Sequence, residues 1–222
     1  MTLGLIGGLG LGAGIYYYRE LVKATAARGQ PLSMLLTHAD VRKVLGHIGA
    51  GETAELAAYL RDLIEPLGSA GCDIAVIPAV APHICIAQLA AVSPLPIISI
   101  LNVIRDELEQ RQLRRVALFG NRYVIETDLY GALPGVDVVR PRPDETAAID
   151  RTYAALVSRG HGISEDRAFF RDIAVELCRR EQLDAVILAG TDLSILYDSE
   201  EPDFPAVDCS RVHIRAIVER LA

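Results

Sequence analysis

The stretch LGLIGGLGLGAGIYYYR, residues 3–19, decides the fold. A short apolar run enters a cluster of glycines, and a longer segment of helical character follows, which is the strand, tight turn and helix of a βα unit. The pattern recurs along the chain. Short apolar, β-branched runs at residues 34–37, 74–77, 97–99, 116–119, 136–139 and 185–188 alternate with helical segments such as 52–67 and 166–180. This alternation predicts an α/β protein with parallel sheets and crossover helices.

The strand ends also repeat. Gly7 and Gly120 each close a strand, Tyr17 and Tyr130 each follow in the next segment, and both pairs are 113 residues apart. Asp73 with Asp184 and Ile77 with Leu188 are each 111 apart. Near-constant spacing implies two copies of one design. The expected division is a first lobe of residues 1–100 plus 208–222 and a second of 101–207, each a parallel sheet with flanking helices. The closing segment 209–222 reads as a packing helix through Val212, Ala216, Ile217 and Leu221. Parallel sheets bind ligands at the carboxyl ends of their strands, where helix starts present unpaired N–H groups. Two pseudo-symmetric lobes facing each other would line one cleft with residues 7–14, 78–83, 120–126 and 189–194.

Composition narrows the function classes. The 222 residues are 51% hydrophobic and 23% charged, enough apolar chain for a substantial core. A net charge of −7 argues against nucleic acid or an anionic membrane as partner. The basic pairs Arg114-Arg115 and Arg179-Arg180 read as solvated helix ends. No apolar run approaches the roughly 20 residues of a membrane helix, and residues 1–8 lack the basic region and cleavage site of a signal peptide, so a cytoplasmic protein is expected. Cys72, Cys85, Cys178 and Cys209 show no C-x-x-C spacing, which indicates neither a metal site nor a disulfide framework. Cys72 and Cys178 read as buried apolar side chains, and His38, His47 and His161 are too scattered to argue for a metal.

The first loop contains G-x-G-x-x-A at Gly8, Gly10 and Ala13, directly after a strand. An NAD(P)-binding fingerprint is one reading. Its acidic partner is represented only by Asp40, three residues beyond Thr37. The glycines equally suit close approach of backbone N–H groups to a carboxylate.

Taken together, the loops resemble the aspartate/glutamate racemase superfamily of cofactor-independent racemases, with hydantoin racemase and arylmalonate decarboxylase relatives. Gly7-Gly8-Leu9-Gly10 with Tyr17-Tyr18-Arg19 is similar to that family's Gly-Gly-Met-Gly start and Tyr-Tyr-Arg helix. Gly120-Asn121-Arg122-Tyr123, followed by Glu126, Asp128 and Tyr130, resembles its Gly-Thr-Arg-Phe turn. Ile77-Pro78 with His83 resembles Ile-Pro-Cys-Asn-Thr-x-His, and Leu188 with Thr191, Asp192 and Leu193 resembles Leu-Gly-Cys-Thr-Glu-Leu. Asp208 and His213 fall where the family carries a terminal Asp and His.

The resemblance implies a two-thiol mechanism, one cysteine removing an α-proton and the other returning one. It places those cysteines at Ala79 and Gly190, which carry no proton. Val80 and Ala81 stand where the family has Asn and Thr, and Val124 where Thr or Ser is common. A ligand less charged or larger than aspartate is implied, because a buried carboxylate without partners is costly.

Asp192 reads either as an acid or base in an apolar site or as the cap of the following helix. His83 is a proton carrier or a hydrogen bond within its own turn. Thr191, Asn121 and Tyr123 offer polar groups to a carboxylate or oxyanion. One of Tyr16, Tyr17 and Tyr18 could reach the site, Tyr17 being the family match, whereas Cys85 reads as packing. Arg42 is a surface residue or an anion contact. The expected protein is an isomerase, lyase or cyclising enzyme without the two-thiol mechanism, using Asp192 or His83 for a single proton transfer. Its substrate would be a small, relatively apolar carboxylate or carbonyl compound held near Gly8, Gly10, Tyr17, Arg42, Ala79, Val80, Ala81, Asn121, Tyr123, Gly190 and Thr191. No cofactor is expected, and the resemblance implies a homodimer. A binding protein without turnover is the alternative, and an NAD(P)-dependent enzyme a further one.

Overall fold

The computed structural model describes residues 1–198 and 200–222, which form two compact units, Met1–Ile100 with His213–Ala222 and Leu101–Val212. In the first unit, β1 (Leu3–Gly7), α1 (Leu11–Ala27), β2 (Met34–His38), α2 (Val41–Ala50), α3 (Thr53–Ser69) and β3 (Ile74–Val76) follow in order. A 3-10 turn (Ala81–Cys85), α4 (Ile86–Val92) and β4 (Ile97–Ile98) complete it. The strands form a parallel sheet in the order β2-β1-β3-β4. β1 and β3 are central and buried throughout, which explains why their sequences are nearly continuous apolar runs.

Alternation along β1 divides the core. Leu3 and Leu5 join Tyr17, Leu21, Ile214 and Ile217 of α1 and the C-terminal helix on one face. Ile6 points the other way, toward Val44, Leu56, Leu60, Ile64 and Leu89 of α2, α3 and α4. Each fully buried Leu or Ile contributes about 2 kcal/mol from area removed from water.

The second unit continues from α5 (Ile100–Gln110) into β5 (Arg115–Phe119), α6 (Arg122–Glu126), a short 3-10 turn (Leu129–Gly131) and β6 (Asp137–Val138). Two long helices follow, α7 (Pro143–Arg159) and α8 (Ser164–Glu181), and then β7 (Ala185–Leu188), a 3-10 turn (Thr191–Tyr197) and β8 (Ala206–Asp208); α9 (Cys209–Leu221) closes the chain, its residues from His213 onward belonging to the first unit. The parallel order is β6-β5-β7-β8, the order of the first sheet with each strand replaced by its counterpart. The repeat is therefore structural. Phe170 of α8 covers this sheet through its ring contact with Phe119 of β5.

The repeated aspartates have one local task. Asp73 Oδ2 accepts a hydrogen bond from the Thr2 N–H at 2.6 Å, just before β1. Asp184 Oδ2 accepts from Arg114 and Arg115 N–H at 2.7 and 2.8 Å, at the start of β5. Each carboxylate secures the entry of a central strand beside its neighbour.

Three local expectations are corrected. β8 was not anticipated, because its three residues follow the acidic and proline-bearing segment 200–205 and show no periodic pattern. Arg115 begins a strand rather than closing a helix, its guanidinium pairing with Asp137. Cys178 is only partly buried, whereas Cys72 is buried.

Candidate active site

In the first unit the loop after β1 passes the end of β2 at close range. Gly8 has φ +83°, and a Cβ there would lie 2.4 Å from the Ala39 carbonyl and 2.8 Å from His38 Nε2. Only glycine fits this backbone and this gap. The motif glycine thus has a reason internal to the fold, and Gly10 opens α1 without a side-chain cap.

On the neighbouring strand, the chain beyond β3 runs through buried Ala79 and Val80 into partly buried Ala81 and the 3-10 turn. His83 lies in that turn, 1% exposed. Its Nδ1 donates to the Ala79 carbonyl at 2.8 Å, and its Nε2 accepts from the Ile100 N–H at 3.3 Å. Burial pushes the imidazole down to about 4, with the Ala79 bond opposing, so a neutral ring ties the turn to the start of α5. Cys85 is likewise committed, its Sγ donating to the Pro82 carbonyl at 3.2 Å and burial pushing the thiol up to about 11.

Two other expected residues stand apart. Tyr17 is fully buried, and its hydroxyl donates to His213 Nδ1 at 2.9 Å while His213 Nε2 donates to the Ile98 carbonyl at 2.9 Å. This chain crosses the core from α1 to α9 and β4. Tyr16 is also buried and Tyr18 exposed. The Arg42 side chain is 89% exposed beside Asp40, whose Oδ1 accepts from the Arg42 N–H at 2.9 Å and caps α2.

The second unit arranges its strand ends differently. Asn121 Oδ1 accepts from the Val124 N–H at 2.9 Å and caps α6. Next to it, the Arg122 N–H donates to Asp150 Oδ1 of α7 at 2.7 Å. Tyr123 is 44% exposed, with its ring 5.9 Å from that of Tyr130. A Cβ on Gly120 would come within 3.3 Å of the Ala189 backbone, so the loops after β5 and β7 are in contact.

Beyond β7, Gly190 caps the 3-10 turn and Thr191 and Asp192 are buried in its first turn. Asp192 is therefore not itself the capping residue. Gly190 lies against Tyr153 of α7: a Cβ there would be 2.4 Å from Cε2, 2.5 Å from Cζ and 2.8 Å from the hydroxyl. Burial, then the charges of Asp192 and Cys209, raise the Tyr153 phenol well above the ordinary tyrosine range, and a hydrogen bond with the Asp192 backbone opposes them. The phenol stays protonated near neutral pH. Sequence reasoning missed Tyr153. Its one signal is the helical spacing from Asp150, which lays both residues on the same side of α7.

Ser194 holds the position 111 residues after His83. Its hydroxyl donates to Asp208 Oδ1 at 2.7 Å, and the same oxygen accepts from the N–H groups of Ser210 and Arg211 at 2.9 and 3.1 Å. Asp208 thus caps α9, and the Ser210 hydroxyl returns a bond to the Thr191 carbonyl at 3.1 Å. Among the described residues no group of three His, Cys, Asp or Glu side chains could hold a metal ion.

The family model for Asp/Glu/hydantoin racemases matches residues 6–217, nearly the whole chain. The chain belongs to this family. A candidate Asp/Glu racemase from Yersinia pestis shares the fold with a TM-score of 0.84 at 22% identity, covering 99% of both chains. An aspartate racemase homologue from Pyrococcus horikoshii OT3 gives 0.80 at 19% identity, over 99% of this chain and 98% of that one. Allantoin racemase from Klebsiella pneumoniae gives 0.62 at 13% identity, over 100% and 87%. At these identities the likeness establishes the architecture of two four-stranded parallel sheets flanked by helices. At the equivalent strand ends of the two units, Ala79 and Gly190 carry no ionisable group.

Proposed function

We propose that this racemase-family chain is a cofactor-independent isomerase, lyase or cyclising enzyme, acting without a pair of thiols on a small, comparatively apolar carboxylate or carbonyl compound. One observation carries the reading. Positions 79 and 190, 111 residues apart at equivalent strand ends, are Ala and Gly, while Thr191 and Asp192 remain beside the second. Racemisation by two opposed groups needs a proton carrier at each position. A reaction needing one does not. In that chemistry a bond to the reacting carbon breaks, the electron pair spreads onto the adjoining carbonyl as an enolate, and one proton returns to carbon. Asp192 handles the proton, and the Thr191 hydroxyl and the Asn121 amide orient the ligand oxygens. His83 is assigned to holding its turn, since both its ring nitrogens are engaged by backbone.

The second reading, a binding protein without turnover, draws on the same loss of ionisable groups at positions 79 and 190. Proton NMR in heavy water separates the two, using aspartate and glutamate enantiomers, substituted malonates, hydantoins, and apolar carboxylic and keto acids. Turnover is expected as loss of an α-proton signal or a new product at catalytic protein concentration. Saturation transfer without turnover would establish the binding protein, and neither signal would overturn both readings.

The proposal includes pairing of two copies. Leu11, Ile15, Tyr18 and Val22 form one exposed stripe along α1, between 40% and 68% exposed, an apolar face suited to self-association.

A further inference from the structure

We propose that the Tyr153 phenol has taken the place of the side chain absent at Gly190 and serves as the hydrogen-bond donor for a ligand carboxylate or enolate oxygen at the end of β7. This rests on the reading that a carboxylate or carbonyl ligand binds at these loops, and it names a group that grips it. Any side chain at position 190 would need the volume held by the Tyr153 ring and hydroxyl, 2.4 to 2.8 Å from the Gly190 Cβ direction. Glycine there and tyrosine on α7 are therefore coupled choices, and the polar atom at this strand end is an oxygen supplied from a helix.

Position and chemistry agree. α7 is tied to the β5 loop by Asp150, one helical turn before Tyr153, so the phenol is presented from a fixed helix. Tyr153 as a whole residue is only partly buried. The charged and titratable groups that act on it are Asp192, Cys209 and Tyr130. Each disfavours the phenolate, as does burial, so the hydroxyl remains a donor across the neutral range. A rigid protonated phenol in partly dry surroundings suits an oxyanion, because it donates without needing to ionise. The step needs no net transfer from Tyr153. Where a C–H bond breaks, the Asp192 carboxylate takes that proton and returns it to carbon, and the phenol only shares its own.

The test is binding of phenylacetate and phenylpyruvate by saturation-transfer NMR and calorimetry. Tyr153→Phe keeps the ring and the packing and removes one oxygen. It is expected to weaken binding by about tenfold or more, the loss of one hydrogen bond to a charged group, with the fold retained by circular dichroism and a lower melting temperature from the lost bond to the Asp192 backbone. Gly190→Ala, whose methyl displaces the phenol, should weaken the same probes while Glu55→Gln, on the exposed side of α3, leaves them alone. Wild-type affinity should be flat from pH 6 to 9, since neither carboxylate nor phenol titrates there. Equal affinity in wild type and Tyr153→Phe would overturn the role of Tyr153 and leave the proposed function standing. No binding of either probe by wild type would overturn the role of Tyr153 too. Failure of the broader reading is recognised separately, when the whole heavy-water panel gives neither turnover nor transfer.

Discussion

The two units share one strand order and differ in what they place at the ends of the central strands. In the first, the 3-10 turn after β3 is closed on itself: His83 is bonded at both ring nitrogens, Cys85 is sunk in the core, and Ala79 and Val80 add only apolar surface. In the second, the equivalent turn carries Thr191 and Asp192, with Tyr153 leaning over Gly190 and Ser194 held by Asp208. One framework has thus been kept for two purposes. The first unit spends its histidine on structure, and the second keeps polar groups beside the strand end. The difference teaches that an internal repeat conserves where loops are, not what they can do.

Acid breaks the comparison most strongly. Burial holds His83 down at about 4 and His213 at about 3 in the folded first unit, against an ordinary 6.5. The unfolded chain therefore binds the proton first. The stability these rings support is complete above pH 6.5 and is lost as the pH falls toward their folded values, by about 3 kcal/mol for His83 alone. In the second unit Asp208 has the opposite sign, since burial raises its pKa and protonation favours the folded form. Denaturant titrations between pH 7.5 and 4, with amide exchange read by unit, should show the first unit opening earlier. A flat profile, or a second unit that opens first, would contradict this assignment.

A surface substitution sharpens the comparison at smaller cost to stability. α1 spans 17 residues and its counterpart α6 only five, so the exposed stripe of Leu11, Ile15, Tyr18 and Val22 belongs to the first unit alone. Ile15→Lys should change stability by no more than about 0.5 kcal/mol, while converting dimers to monomers in light scattering. A wild type already monomeric at high concentration would remove the pairing.

The sequence made the architecture legible where burial leaves a strong trace. β1, β5 and β7 are buried on both faces and read as apolar runs, and the 113 and 111 residue offsets mark the repeat in the sequence itself. β8 escaped because three residues at a sheet edge leave no period. Gly8 could be read as a nucleotide motif because a sequence does not show the Ala39 carbonyl 2.4 Å from its missing Cβ. Tyr17 looked available from its motif, but its hydroxyl is engaged by a residue 196 positions away. Tyr153 belongs to no motif. Its role follows from a vacancy at Gly190, on a different strand end, and only the fold joins the two.

The most direct test of the asymmetry is α-proton exchange or product formation, on whichever member of the panel wild type turns over, by Asp192→Asn and by His83→Gln, each confirmed folded by circular dichroism. The account predicts that Asp192→Asn abolishes turnover while His83→Gln alters stability and acid sensitivity but keeps the rate within a few-fold. Activity surviving in Asp192→Asn and lost in a folded His83→Gln would contradict it, and would move the chemistry to the first unit.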